Sequence, residues 1–216
     1  IQNLMHGRAV RDQTLFDVCM VLGLDFDEIK LAWSGAVSRD EPGRPAANKE
    51  IAPVYMGAYS RAAVDQYLGS YLTLRPAFSV ADQIVAYRTD ITWDGDWPSL
   101  LFEEKNRPDE TFSHRGRLYI PPSSMFIHLV SLTKGAMRNI VVSQIDRAGH
   151  MRGLITTLNK QRAAFMPVSA PIVYVKQDNF AGVALGEVGA DHASYAGYRR
   201  LLDETVEQGY ARLIGG

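Results

Sequence analysis

The chain has 216 residues, of which 46% are hydrophobic and 22% charged, which suits one large globular domain or a small one beside a medium one. No stretch approaches the roughly 18 uninterrupted apolar residues of a membrane helix, and no secretory signal opens it, so no membrane role is expected. A net charge of −1 exerts no global pull on nucleic acid, and the single cysteine, Cys19, excludes an intrachain disulfide and suits a reducing, cytoplasmic setting.

Residues 1–33 carry helical periodicity. Leu15, Val18, Cys19 and Leu22 fall at i, i+3, i+4 and i+7, one buried stripe, on which Cys19 is a small core residue. Gly23 is placed to end that helix. Asp25, with Glu28 three residues later, reads as a capping box opening a second short helix through Ile29 and Trp33. Residues 34–53 are rich in Gly, Pro, Ala and charge without an apolar period, the composition of a linker.

From Val54 the texture changes. Residues 54–67 suit a short helix with Ser60 as N-cap. Eight segments enriched in β-branched and aromatic residues follow, at 69–76, 83–93, 99–105, 116–121, 125–133, 137–145, 151–158 and 168–176. The separators, DGDWP and DRAGH among them, have turn chemistry. Gaps of hairpin length favour an antiparallel meander over parallel βαβ units, and closure into an eight-stranded up-and-down barrel would remove its edges. The alternative is a PAS-like domain, although the polar gap around 105–114 is too short for the helices such a domain places between early strands. A last helix over 192–214 puts Tyr198, Leu201, Leu202, Val206, Tyr210, Leu213 and Ile214 on one stripe. That stripe either packs on the domain or pairs with a second subunit. The expected class is therefore α+β: a helical module over 1–33, a linker over 34–53 and a β-rich unit over 54–216.

Alternation assigns the faces of the strands. In 83–93, Val85, Tyr87, Thr89, Ile91 and Trp93 form the core face, and Arg88 and Asp90 point outward as a pair. Polar residues on otherwise apolar strands include Tyr71, Arg75, Glu103, His128, Arg138 and Arg152. The simpler reading makes them solvated charges on half-exposed strands. Grouped on one side, however, Tyr71, Arg75, His128, Arg138 and Arg152 would form a ligand site whose arginines hold an anionic or carbonyl-bearing effector through forked hydrogen bonds. His128, within MFIHLV, suits a core or interface position better than a metal. The five histidines are scattered, without ligand spacing. Glu103 and Glu104 are adjacent, so on a strand they face opposite ways and make a poor acid/base pair. No catalytic motif, cofactor signature or metal site stands out, and an enzyme is not expected.

The run IQNLMHGRAVRDQTLFDVCMVLGLDFDEIK resembles the second half of the Xre/Cro-like helix-turn-helix family. Ile1 and Leu4 match the end of its recognition helix and Gly7 its closing glycine. Thr14, Leu15, Leu22, Gly23, Leu24, Asp27, Glu28 and Ile29 match the helix pair that follows. The resemblance implies that most of the base-reading face lies upstream of Ile1, with Gln2 and Asn3 left for base edges and Arg8 and Arg11 for phosphates. The function it implies is a transcriptional regulator, homodimeric to match paired half-sites on double-stranded DNA, whose β-rich domain senses a small molecule or mediates assembly. Two alternatives remain open: an interaction module that recruits a partner protein without a ligand, and a lipocalin-like carrier or enzyme.

Overall fold

The structure, a computed structural model, describes residues 12–24, 29, 49–108, 113–121, 124–133, 136–161 and 164–212. The chain divides into two compact units, Ile1–Ala47 and Asn48–Gly216. In the first, helix α1 spans Asp12–Leu22. Leu15 and Cys19 are buried, as their spacing requires, but Leu22 is 63% exposed. It sits on the last turn, where Gly23 (φ +67°) reverses the chain and the Leu24 N–H donates to Cys19 O at 2.9 Å. That six-residue loop is a Schellman closure, for which a left-handed glycine is the cheapest residue. Gln2, Asn3, Arg8 and Arg11, the Asp25–Glu28 box and most of the linker lie outside the described residues.

The second unit contains all eight expected strands: β1 (Gly69–Pro76), β2 (Gln83–Asp94), β3 (Ser99–Lys105), β4 (Arg115–Tyr119), β5 (Phe126–Thr133), β6 (Ala136–Ser143), β7 (His150–Gln161) and β8 (Ala164–Gln177). Each pairs antiparallel with its neighbour in sequence. β1 also pairs with β8, from Ser70↔Gln177 to Leu74↔Val173, so the sheet closes into an eight-stranded barrel. A closed ring of hairpins replaces the PAS-like alternative, which needs an open sheet with helices between early strands.

Two differences from expectation have local causes. The β7–β8 hairpin runs to Gln161 and Ala164, beyond the apolar alternation, because the pairing continues through the polar residues Asn159 and Lys160. A ninth strand, β9 (Gly186–Gly189), pairs with Gln83–Ala86 of β2, on the side where β3 pairs only from Arg88 onward. Four residues with two glycines carry too little β signal to be read as a strand.

Strand parity sorts the side chains as expected. Tyr87, Thr89 and Ile91 are buried inside the barrel, while Arg88 and Asp90 pair outside at 2.6 Å. One end is plugged by residues 51–67. Ile51 bridges to Ser60, and Ala52, Met56, Tyr59, Val64 and Tyr67 join the main core. Residues 49–53, read as linker from composition, thus belong to this unit. The expected helix over 54–67 is two short 3₁₀ turns, Val54–Met56 and Ala62–Tyr67, with Ser60 Oγ accepting from the Ala63 N–H at 3.2 Å. Gly57 separates them at φ +113°, where a Cβ would lie 1.9 Å from Ile120 O; no other residue fits. Tyr59 locks the plug, donating its hydroxyl to Leu118 O at 2.8 Å and accepting from the Leu100 N–H at 3.0 Å.

Helix α2 (Tyr195–Glu207) lies on the outer face of the barrel. There Leu202 packs with Leu72, Leu74, Ile84, Ala86 and Val173. It ends earlier than its periodicity suggests: Val206 is half-exposed, Tyr210 lies beyond the helix, and Leu213 and Ile214 fall outside the described residues. Of its two expected roles, packing on its own barrel is the observed one. No described helix is long and apolar enough to cross a membrane.

Candidate functional site

The barrel interior has two chemically distinct halves. Towards the plug it is apolar, with Ile91, Leu100, Phe102, Leu118, Ile127, Leu129, Ile140 and Ile172 fully or almost fully buried. Towards the other end the same inward positions turn polar, and the alternation of each strand dictates which side chains arrive there. β3 carries Leu100, Phe102 and Glu104 inward in step, with Glu104 opposite Thr89. β6 carries Arg138 in step with Ile140 and Val142, opposite Ser131 of β5. β1 carries Thr73 and Arg75 in step with Tyr71. Arg107 and His114 come from the β3–β4 connection.

These groups form one buried network. Glu104, 2% exposed, accepts Arg138 Nη1 at 2.5 and 2.7 Å, Arg107 Nη1 at 2.5 Å and the His114 backbone N–H at 3.3 Å. His114 Nδ1 and Ser131 Oγ share a hydrogen bond of 2.7 Å. Arg107 lies over the Tyr87 ring at 4.9 Å, and Thr73 bonds Thr89 across the β1–β2 pair at 2.7 Å. Arg75 lies over the Phe78 ring at 4.1 Å and donates from Nη1 to Pro76 O at 2.9 Å.

The electrostatics follow from burial and charge together. Burial would raise the Glu104 carboxyl, but Arg138 and Arg107 outweigh it and hold it below the usual carboxylate range. Burial first, then repulsion from Arg138, lowers His114 to about 4 against the pull of Glu104. His114 is therefore neutral at pH 7. Burial lowers Arg75 to about 10, helped by Arg107 and Arg138 and opposed by Tyr87 and Glu104, so it stays charged. Burial also raises the Tyr87 hydroxyl to about 12.

The network opens into a cavity of ≈ 260 Å³ at the unplugged end, lined by Arg75, Arg107, His114 and Arg138, by Phe78 from the β1–β2 connection, and by Thr157, Leu158, Asn159, Lys160 and Phe165 from the β7–β8 hairpin. Arg107 and Arg138 share the Glu104 carboxylate, and Arg75 lines the same cavity. Arg75 and Arg138 are only 7% and 4% exposed, yet the Nε of each finds no hydrogen-bond partner among the described residues. Buried guanidinium donors left without a partner are costly unless an acceptor answers them. Chemically, the arrangement offers an oxyanion guanidinium donors at a pre-positioned site.

Of the residues singled out from the sequence, Arg75 and Arg138 meet at this cavity. The other three do not. Tyr71 points inward, but into the plugged half, where its hydroxyl donates to Tyr67 O at 2.7 Å and its ring meets Tyr174 edge-on. His128 lies between the inward Ile127 and Leu129, and parity therefore turns it outward, half-exposed. Arg152 is turned outward beside the inward Met151; it bonds Asp146 and His150 at 2.7 Å each and lies 3.8 Å from Glu204 of α2. Its place is in the contact between barrel and helix.

Glu104, Arg107 and His114 were not anticipated. The signal for Glu104 was present: it continues the inward parity of Leu100 and Phe102, and a carboxylate on an apolar face requires a cationic partner. Arg107 and His114 lie on a connection, where no periodicity marks orientation. Among the described residues no group of His, Cys, Asp and Glu is placed to hold a metal ion. Compared with known proteins, the chain matches no family model, no curated protein and no solved structure.

Proposed function

We propose that this chain is part of a cytoplasmic, homodimeric, DNA-binding transcriptional regulator whose barrel unit senses a small anionic molecule at its open end. The resemblance of residues 1–30 to the Xre/Cro-like helix-turn-helix family supports the DNA-binding half of that reading. The observation that carries the sensing half is the arginine set in the mouth. Arg75 and Arg138, each more than nine-tenths buried and each with an Nε that finds no partner among the described residues, line a cavity of ≈ 260 Å³ beside Glu104. Eight-stranded barrels have room for one small ligand at most, and this one keeps that room where its charge is. An effector held there bridges β1, β6 and the β3–β4 connection, and so stabilises the barrel relative to its open forms.

The full-length protein is expected to protect a specific promoter, with affinity that falls steeply as salt rises. An acid that raises the melting temperature of the chain is expected to change that protection. A footprint that stays blank at low salt contradicts the regulator, and a melting temperature unmoved by every acid in a metabolite panel contradicts the sensor.

A further inference from the structure

The anion reading leaves the rest of the ligand open, and the walls of the cavity bear on it. We infer that the barrel mouth takes a small organic acid: a two-oxygen anionic head on the arginine forks, carrying an apolar body of about the size of one aromatic ring. This inference rests on the anion site of the preceding subsection.

The head group follows from which guanidinium edges are occupied. Arg138 spends Nη1 on both oxygens of Glu104, and among the described residues no hydrogen bond leaves its Nε or Nη2. Nε and Nη2 form the side-on edge of a guanidinium, two parallel N–H donors that match the two oxygens of a carboxylate. Arg75 likewise spends Nη1 on Pro76 O and keeps Nε idle. Both side chains are more than nine-tenths buried and line the cavity. Arg138 therefore offers a complete fork and Arg75 a further donor, held in place by bonds made with the opposite edge.

The body follows from size and from the facing wall. At ≈ 260 Å³ the cavity lies just under the roughly 300 Å³ at which small-molecule pockets begin. An inorganic oxyanion is smaller than that and leaves the Phe78 ring without a partner on its cavity side. Leu158 and Phe165 of the β7–β8 hairpin reach the rim of the cavity, beside the polar Thr157 and Asn159. Phe78 is held against Arg75 at 4.1 Å, which ties the apolar wall to the cationic floor. A ligand with its charge on one end and a flat apolar body on the other meets both at once. A phosphate monoester presents the same pair of oxygens as a carboxylate, and the two heads are separated below.

The test is an NMR titration of the whole chain with benzoate, acetate, benzyl alcohol, phenyl phosphate and inorganic phosphate, following arginine Nε–H signals. Benzoate is expected to shift the Nε–H signals of Arg75 and Arg138, and to bind at least tenfold more tightly than either acetate or benzyl alcohol. Phenyl phosphate binding more tightly than benzoate keeps the inference and assigns the head as a phosphate. Phe78→Ser, at a half-buried rim position, is expected to weaken benzoate about tenfold and leave acetate unchanged. Acetate or inorganic phosphate binding as tightly as benzoate overturns the apolar body while leaving the anion site standing. If no anion moves either arginine, the anion site itself is overturned, and this inference with it.

Discussion

Replacing Glu104 by Gln tests the electrostatic account of the barrel mouth. The carboxylate is 2% exposed and accepts three charged hydrogen bonds from two guanidiniums, with a fourth from a backbone N–H. Glutamine keeps the shape but removes the negative charge that Arg107 and Arg138 bond. Breaking a buried pair from one side costs about 3–5 kcal/mol, because the partners stay buried and uncompensated. For a unit of this size, each kcal/mol moves the melting temperature by roughly 2–4 °C, so a loss of about 6–20 °C is expected. Glu103→Gln is the control: that side chain is half-exposed outside the barrel, paired with Lys105 at 3.2 Å, and is expected to cost less than about 1 kcal/mol. The pH dependence carries a sign as well. Glu104 titrates below its usual value of 4.5 in the fold, so its contribution is full above that value and is lost as pH falls through the folded one. Urea denaturation followed by circular dichroism, from pH 7 down to pH 3, reads both effects. A Glu104→Gln protein within about 1 kcal/mol of the parent at pH 7 would refute the reasoning.

Other outcomes follow from single contacts. His114 titrates at about 4, well under its ordinary 6.5, so its ring signals should show no inflection between pH 5 and 8; the corresponding stability is full above 6.5 and is lost as pH falls towards 4. An inflection near 6.5 in its NMR titration contradicts the buried network. Gly116→Ala places a Cβ 2.1 Å from Val130 O and 2.7 Å from the Phe102 ring, so the β4–β5 pair must shift. A loss of about 1–3 kcal/mol is expected in urea unfolding, and an unchanged midpoint would mean that the strands are further apart. Leu202→Ala empties the contact of α2 with the barrel, where the side chain is 3% exposed. About 2–5 kcal/mol is expected, and hydrogen exchange should show α2 losing protection before the strands.

How much of this was legible depends on how periodic each segment is. β1 and β3 match their sequence patterns end to end, because alternation with β-branched and aromatic residues is strong there. The inward face of β2 was readable for the same reason. Residues 49–53 look like linker by composition, yet Ile51 and Ala52 are drawn into the plug by long-range pairing with Ser60 and the barrel core. β9 was invisible, because it is defined by a gap beside β2 rather than by its own residues. The site was half legible. Arg75 and Arg138 stood out as charges on apolar strands, but so did His128 and Arg152, and only the parity of each strand relative to its neighbours separates the two pairs. Arg107 and His114 depend on the path of a loop that local spacing does not encode.

At the open end of the barrel an anion is proposed to answer the buried arginines, and an organic acid to fill the cavity beside them. A crystal structure of the chain with benzoate tests that proposal most directly. The carboxylate is expected about 3 Å from Nε and Nη2 of Arg138, with the ring against Phe78. A mouth in which a carboxylate of the chain itself closes that fork, leaving benzoate unbound, would contradict it.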